Sequence, residues 1–168
     1  VVSTPTPKAN TPMTRIALAV LVVVFTACGM PPTETPKTEL LAGAQTFYGA
    51  FNTGSVQQMT DLLAADFTDH MMSPRPDDGG KANLVYSVSA FKQGYPDLSI
   101  VITESWQEGD TLTIFTKVTG TNTGPLFGAP ATGKAVSFST IDVLGFEKGK
   151  LKDLHHIEQQ YQMFQQLK

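Results

Sequence analysis

The chain has 168 residues, 41% of them hydrophobic and 16% charged, with a formal net charge of −3. That length and apolar share suit one domain with its own core, and the sparse, slightly acidic charge leaves no basic stripe for nucleic acid. A single cysteine excludes any internal disulfide.

Residues 1–28 read as a leader. Met13-Thr14-Arg15 supplies a short basic start, and residues 1–12 precede it as an over-extended beginning. Ile16 to Phe25 is an unbroken apolar run, too short to span a bilayer comfortably. It ends in Phe25-Thr26-Ala27-Cys28-Gly29, which resembles a bacterial lipobox, so Cys28 is the expected lipidation site. The alternatives are a plain secretory signal or an uncleaved anchor helix. An exported lipoprotein, held to the membrane of the cell envelope by an N-terminal lipid anchor, is therefore expected. Of the 12 basic residues, Lys8 and Arg15 leave with the leader, so 10 remain against 15 acidic ones. Residues 29–37, with Pro31, Pro32 and Pro36, predict an extended, disordered tether ahead of a domain over 38–168.

Thr38 opens the first predicted helix, in which Leu40, Leu41, Ala44, Phe47, Tyr48 and Phe51 recur at helical spacing until Gly54. Ser55 and Gln58 form a capping-box pattern for a second short helix. Phe67 to His70 predicts a brief strand, and Met71 to Gly80 a loop. Lys81 to Gly94 predicts a third helix with a stripe of Leu84, Val85, Val88 and Phe91. Then come four β-patterned runs: Leu98 to Trp106, Thr111 to Thr121, Ala135 to Phe146 and Leu151 to Gln159. A short helix is expected over Gln160 to Leu167. Helices followed by an antiparallel meander predict an α+β fold, in which a curved sheet wraps a helix and leaves a cavity at its open end.

Asp142 stands out without any comparison. Alternation puts Val136, Phe138, Thr140, Asp142, Leu144 and Phe146 on one face of their strand. A carboxylate in such a row is either paired or poised in an apolar pocket, as proton abstraction beside a carbonyl requires; a bulge that turns Asp142 outward is the structural alternative. His155 and His156 are adjacent and point to opposite faces, so at most one lines a cavity directly. Glu158 shares the face of His156, and Gln159 that of His155. Trp106, Tyr48, Tyr86, Phe47, Phe127, Met71 and Met72 read as core or pocket lining, a wall suited to a flat, apolar ligand. The His and Cys residues are too scattered for a zinc site, and no nucleotide-binding glycine pattern or nucleophile elbow is present. No metal and no cofactor is expected.

Residues 120–134, Gly-Thr-Asn-Thr-Gly-Pro-Leu-Phe-Gly-Ala-Pro-Ala-Thr-Gly-Lys, carry a resemblance. With Pro96-Asp97-Leu98 upstream and Gly149-Lys150 downstream, this stretch resembles the SnoaL-like polyketide cyclases, a branch of the nuclear-transport-factor-2-like superfamily, over roughly residues 40–168. The resemblance implies a cone-shaped α+β barrel whose pocket binds a small apolar carbonyl compound, and cofactor-free cyclisation or isomerisation. It also implies roles. Asp69-His70 resembles an acidic-then-His element at the cavity rim, which makes His70 a catalytic candidate beside Asp142 and His155. Asn122 stands where the family usually has His, His155 where a Trp is usual, and Gln159 where an acid is frequent. Asn122, Trp106, Tyr48, Phe127, His156 and Gln159 are the ligand-binding candidates; Asn122 is also a residue that tolerates a left-handed turn.

Three functions follow: an acid–base enzyme, a hydrophobic-ligand-binding lipoprotein without turnover, and a homodimer meeting through its sheet. The last needs an apolar outer face, whereas Ser137, Ser139, Thr111, Thr113 and Thr119 predict a polar one.

Overall fold

The computed structural model describes residues 35–71 and 77–168; the leader, Cys28, most of the tether and Met72 lie outside them. Helix α1 spans Lys37–Thr53, and its N-cap is Pro36, two residues before the expected Thr38. It ends at Gly54, whose φ of 74° gives the left-handed stop. Helix α2 (Val56–Leu62) begins at Ser55, whose side chain accepts from the Gln58 N–H. Only half of the capping box forms, since the Gln58 amide donates to the Thr46 carbonyl and ties α2 to α1. Strand β1 (Leu63–Asp69) follows directly, starting four residues before the expected Phe67. Helix α3 covers Lys81–Gly94.

Strands β2 (Ser99–Glu108), β3 (Thr111–Thr121), β4 (Ala135–Glu147) and β5 (Lys150–Glu158) form the expected meander, and α4 covers Gln160–Leu167. The sheet order is β1-β5-β4-β3-β2, with β1 added to the edge parallel to β5. It is therefore a mixed, five-stranded sheet, open at β1 and β2 rather than closed into a barrel. The inward row of β4 is buried from Val136 to Phe146 at every second residue. It meets Leu112 and Ile114 of β3, Phe47 and Ala44 of α1, and Met59 of α2 in one core.

Two irregularities between antiparallel strands curve the sheet, since an extra residue in one strand bends it and raises its twist. Between Ile102 and Glu104 the pairing of β2 with β3 slips by one residue. The second slip lies between β4 and β5. From the turn, Glu147 faces Lys150 and Phe146 faces Leu151, but Gly145 faces Asp153, so Lys152 is the extra residue. Beyond it Leu144 faces Leu154 and Asp142 faces His156. An uninterrupted ladder would have brought His155 opposite Asp142.

The outer face of the sheet is polar toward both ends, with Thr111 and Thr113 at one and Thr119 at the other. Ser137 and Ser139 lie at the latter, but the face also has an apolar centre in which Trp106 packs edge-on to Phe115, with ring centroids 5.3 Å apart. Ile141 stands beside Phe115 and opposite Ile157. Among the described residues no helix is long and apolar enough to cross a membrane.

Candidate active site

Asp142 is 1% exposed, on the concave side of β4. Three donors converge on it. The Tyr48 hydroxyl donates to Oδ2 at 2.8 Å from the middle of α1, and the Thr140 hydroxyl donates to the same oxygen at 2.9 Å. His156 Nδ1 lies 2.6 Å from Oδ1. Because Thr140 gives its proton to Asp142, the Thr116 hydroxyl, 2.7 Å away, must donate to Thr140 in turn. Strand register places the members on the sheet, with Thr116 opposite Thr140 and His156 opposite Asp142, while Tyr48 reaches in from α1. A carboxylate has about four lone-pair sites, so three donors leave one free, on Oδ1.

His156 Nε2 lies 3.7 Å from Oε2 of Glu158, which places the imidazole between two carboxylates. Burial by itself lowers the His156 pKa. The hydrogen bonds and charges of Asp142 and Glu158 outweigh it and raise it from 6.5 to about 10. The ring is thus an imidazolium near neutral pH, with Nδ1–H donating to Asp142 and Nε2–H turned toward the Glu158 carboxylate beyond hydrogen-bond distance. Burial, then the charge and hydrogen bond of Asp142, push the Tyr48 hydroxyl far above the usual phenol range, so it stays a donor.

The cluster forms part of the wall of a cavity of about 660 Å³. Asp142, His156, Tyr48 and Thr140 border it, with Phe47, Phe51, Phe91, Phe138 and Leu154 supplying the apolar wall. Met163, Phe164 and Leu167 of α4 close one side. A second hollow, of about 710 Å³, lies between α1, α2 and the β4–β5 turn. Thr46, Gln57, Asp61 and Lys148 line it, and none of the polar cluster does, so the chemistry belongs to the smaller cavity.

The structure brings together Asp142, His156, Tyr48, Asn122 and Phe127 at the cavity wall. The remaining candidates lie elsewhere. Strand alternation turns Asp69 toward the cavity and His70 away from it. His70 Nε2 pairs with Asp153 at 2.7 Å, and its ring stacks on His155 at 4.5 Å. His155 is exposed on the outer face, where the Lys152 slip leaves it. Gln159 is exposed and accepts the Ser139 N–H, joining α4 to β4. Trp106 is 51% exposed against Phe115.

Asn122 does not adopt a left-handed angle; among the described non-glycine residues only Phe127 and Lys148 do. Its amide is spent on the loop. It donates to Gly94 O at 3.2 Å and Gly124 O at 2.9 Å, and accepts the Thr132 N–H and hydroxyl. This clamp presses the glycine loop onto the end of α3, where a Cβ on Gly124 would stand 2.0 Å from the Gln93 carbonyl oxygen. Glu158 and Thr116 are the site residues that sequence reasoning missed. The signal was present: Glu158 shares the His156 face, and Thr116 shares the buried row of β3.

Residues 42–167 match the profile of the SnoaL-like polyketide cyclases. The chain belongs to that family. Among solved structures, a Bacillus cereus ATCC 10987 protein labelled a polyketide cyclase is 27% identical, with a TM-score of 0.65 over 77% of this chain and 80% of its own. TsrD from Streptomyces laurentii is 20% identical, with a TM-score of 0.71 over 80% of this chain and 98% of its own. AclR from Streptomyces galilaeus, labelled a hydroxylase, is 20% identical, with a TM-score of 0.67 over 79% and 82%. The last two show the shared fold alone. No curated protein matches the sequence. The family fold is thus the cone-like α+β arrangement described above, with helices packed into the concave side of the sheet.

Proposed function

We propose that this SnoaL-like domain binds a small, largely apolar carbonyl compound and cyclises or isomerises it by acid–base chemistry, with no cofactor. The observation that carries this reading is Asp142, sunk in an apolar cavity wall with Tyr48, Thr140 and His156 all donating to it. The free lone pair on Oδ1 takes a proton from carbon beside a substrate carbonyl, and the C–H electron pair becomes the enolate. The His156 imidazolium faces the negative charge that develops on the enolate oxygen, and preorganised donors of this kind are a large source of rate acceleration. In cyclisation the enolate carbon attacks a second carbonyl, and the alkoxide formed takes the proton back. In isomerisation the proton returns to another carbon. Tyr48 and Thr140 hold the carboxylate still, which is the positioning that such chemistry needs.

The test uses α-tetralone, a flat neutral ketone, in D₂O. Exchange of its α-protons is followed by NMR with the natural chain and with Asp142→Asn. Accelerated exchange that disappears in the variant supports the reading. Equal exchange in both, or no acceleration at all over buffer, sinks it.

A further inference from the structure

Phe127 has a backbone conformation that an aromatic residue rarely adopts. Leu126 and Ala129 exchange both backbone hydrogen bonds, at 3.0 and 2.8 Å, so Phe127 and Gly128 form a two-residue turn. Their φ angles are 46° and 84°, the signature of a turn that needs both central residues left-handed. Gly128 meets that need freely, but Phe127 is strained, because its Cβ crowds the following carbonyl. Asparagine is the residue this turn favours there.

Burial repays that strain only in part. Phe127 is 53% exposed, and its ring stands at the edge of the cavity. It meets Phe91 edge-on at 5.5 Å and Tyr86 at 6.2 Å. From Phe91 the ring contacts continue inward through Phe51 and Phe47 to Tyr48, which donates to Asp142. Phe127 is thus the outer end of an aromatic wall that reaches the polar cluster.

We propose that Phe127 is a ligand-clamping residue, kept in a strained turn so that its ring covers the mouth of the cavity and packs on the outer part of a bound, flat ligand. The inference rests on the reading of this cavity as the ligand site. It predicts that binding and stability part company at one position. A residue retained for packing stabilises the free protein. One retained for a ligand contributes only when the ligand is present.

The experiment uses the neutral, fluorescent ketone 6-propionyl-2-(dimethylamino)naphthalene with the full chain. Its affinity is read from its blue-shifted emission, its place from the shift of the His156 imidazole resonance, and stability from the melting temperature. With the natural chain, saturable binding that moves the His156 resonance is expected. Phe127→Asn should melt at an equal or higher temperature yet bind at least fivefold more weakly, and Phe127→Tyr should restore the affinity. If Phe127→Asn binds as the natural chain does, or melts several degrees lower, the clamp is overturned while the cavity stands. If the natural chain shows no saturable binding, or binding leaves His156 unmoved, the reading of the cavity fails and takes the clamp with it.

Discussion

Replacing Asp142 with Asn tests the electrostatics of the site most directly. The variant keeps the shape of the side chain but removes its charge, and it puts an N–H₂ where one carboxylate oxygen accepted hydrogen bonds. Two effects add. The amide oxygen stays toward the His156 N–H, so the N–H₂ takes the place of Oδ2, and the Tyr48 and Thr140 hydroxyls, which both donate to that oxygen, lose their acceptor, at a cost of about 1–2 kcal/mol together. The His156 imidazolium also loses its partner at 2.6 Å. Breaking a fully buried pair would cost about 3–5 kcal/mol, but the His156 side chain is 39% exposed, and screening by solvent cuts that to about 2 kcal/mol. The expected loss near pH 6 is therefore about 3–4 kcal/mol by urea denaturation. It should shrink to about 1–2 kcal/mol above pH 10.5, where His156 is neutral in both proteins and only the hydroxyl mismatch remains. Imidazole nitrogen NMR gives the second readout. In the natural chain His156 should titrate at about 10; in the variant burial acts with less opposition, and the titration should move sharply down. A stability loss of the same size at both pH values, or a His156 titration that Asp142→Asn does not move, refutes the reasoning.

The raised His156 pKa also fixes a pH dependence. The imidazolium is favoured in the folded state, so its contribution is complete below 6.5 and is lost as pH rises from 6.5 through about 10. The stability of the natural chain should fall by about 2 kcal/mol across that window, after the same allowance for exposure, and His156→Gln should flatten the curve. Tyr48→Phe removes one donor to Asp142 and should cost about 1 kcal/mol, with α-proton exchange slowed because the carboxylate is less firmly held. Asn122→Ala leaves the Gly94 and Gly124 carbonyls and the Thr132 N–H without their clamp, and should cost about 2–3 kcal/mol in urea. Its hydrogen exchange should rise across residues 122–133 while that of β4 stays protected. Unchanged exchange in the loop would mean that Asn122 is not what holds it.

Much of the frame was legible because its signals are local. The 3.6-residue spacing in 37–53 and 81–94, and the strict alternation of β3 and β4, come from one face being buried, and a burial pattern is written in the sequence itself. Asp142 was found the same way, as an acid in an apolar row. β1 was harder to place. Its edge position, parallel to β5, depends on Leu63 meeting Leu151 across the whole chain, and no local pattern encodes a partner so far away.

What the sequence determined by itself was the order of elements, the inward row of β4 and the family. It also determined that at most one histidine of the pair 155–156 could face inward. Which one was a tertiary decision. The turn at Lys148 and Gly149, both left-handed, starts a ladder that would deliver His155 to Asp142. The single extra residue at Lys152 passes His156 there instead and sends His155 outward to stack on His70. Side chains alternate with a period of two, so a slip of one residue exchanges the two faces. That slip is set by the bend of the whole sheet around its core, which local patterning does not encode.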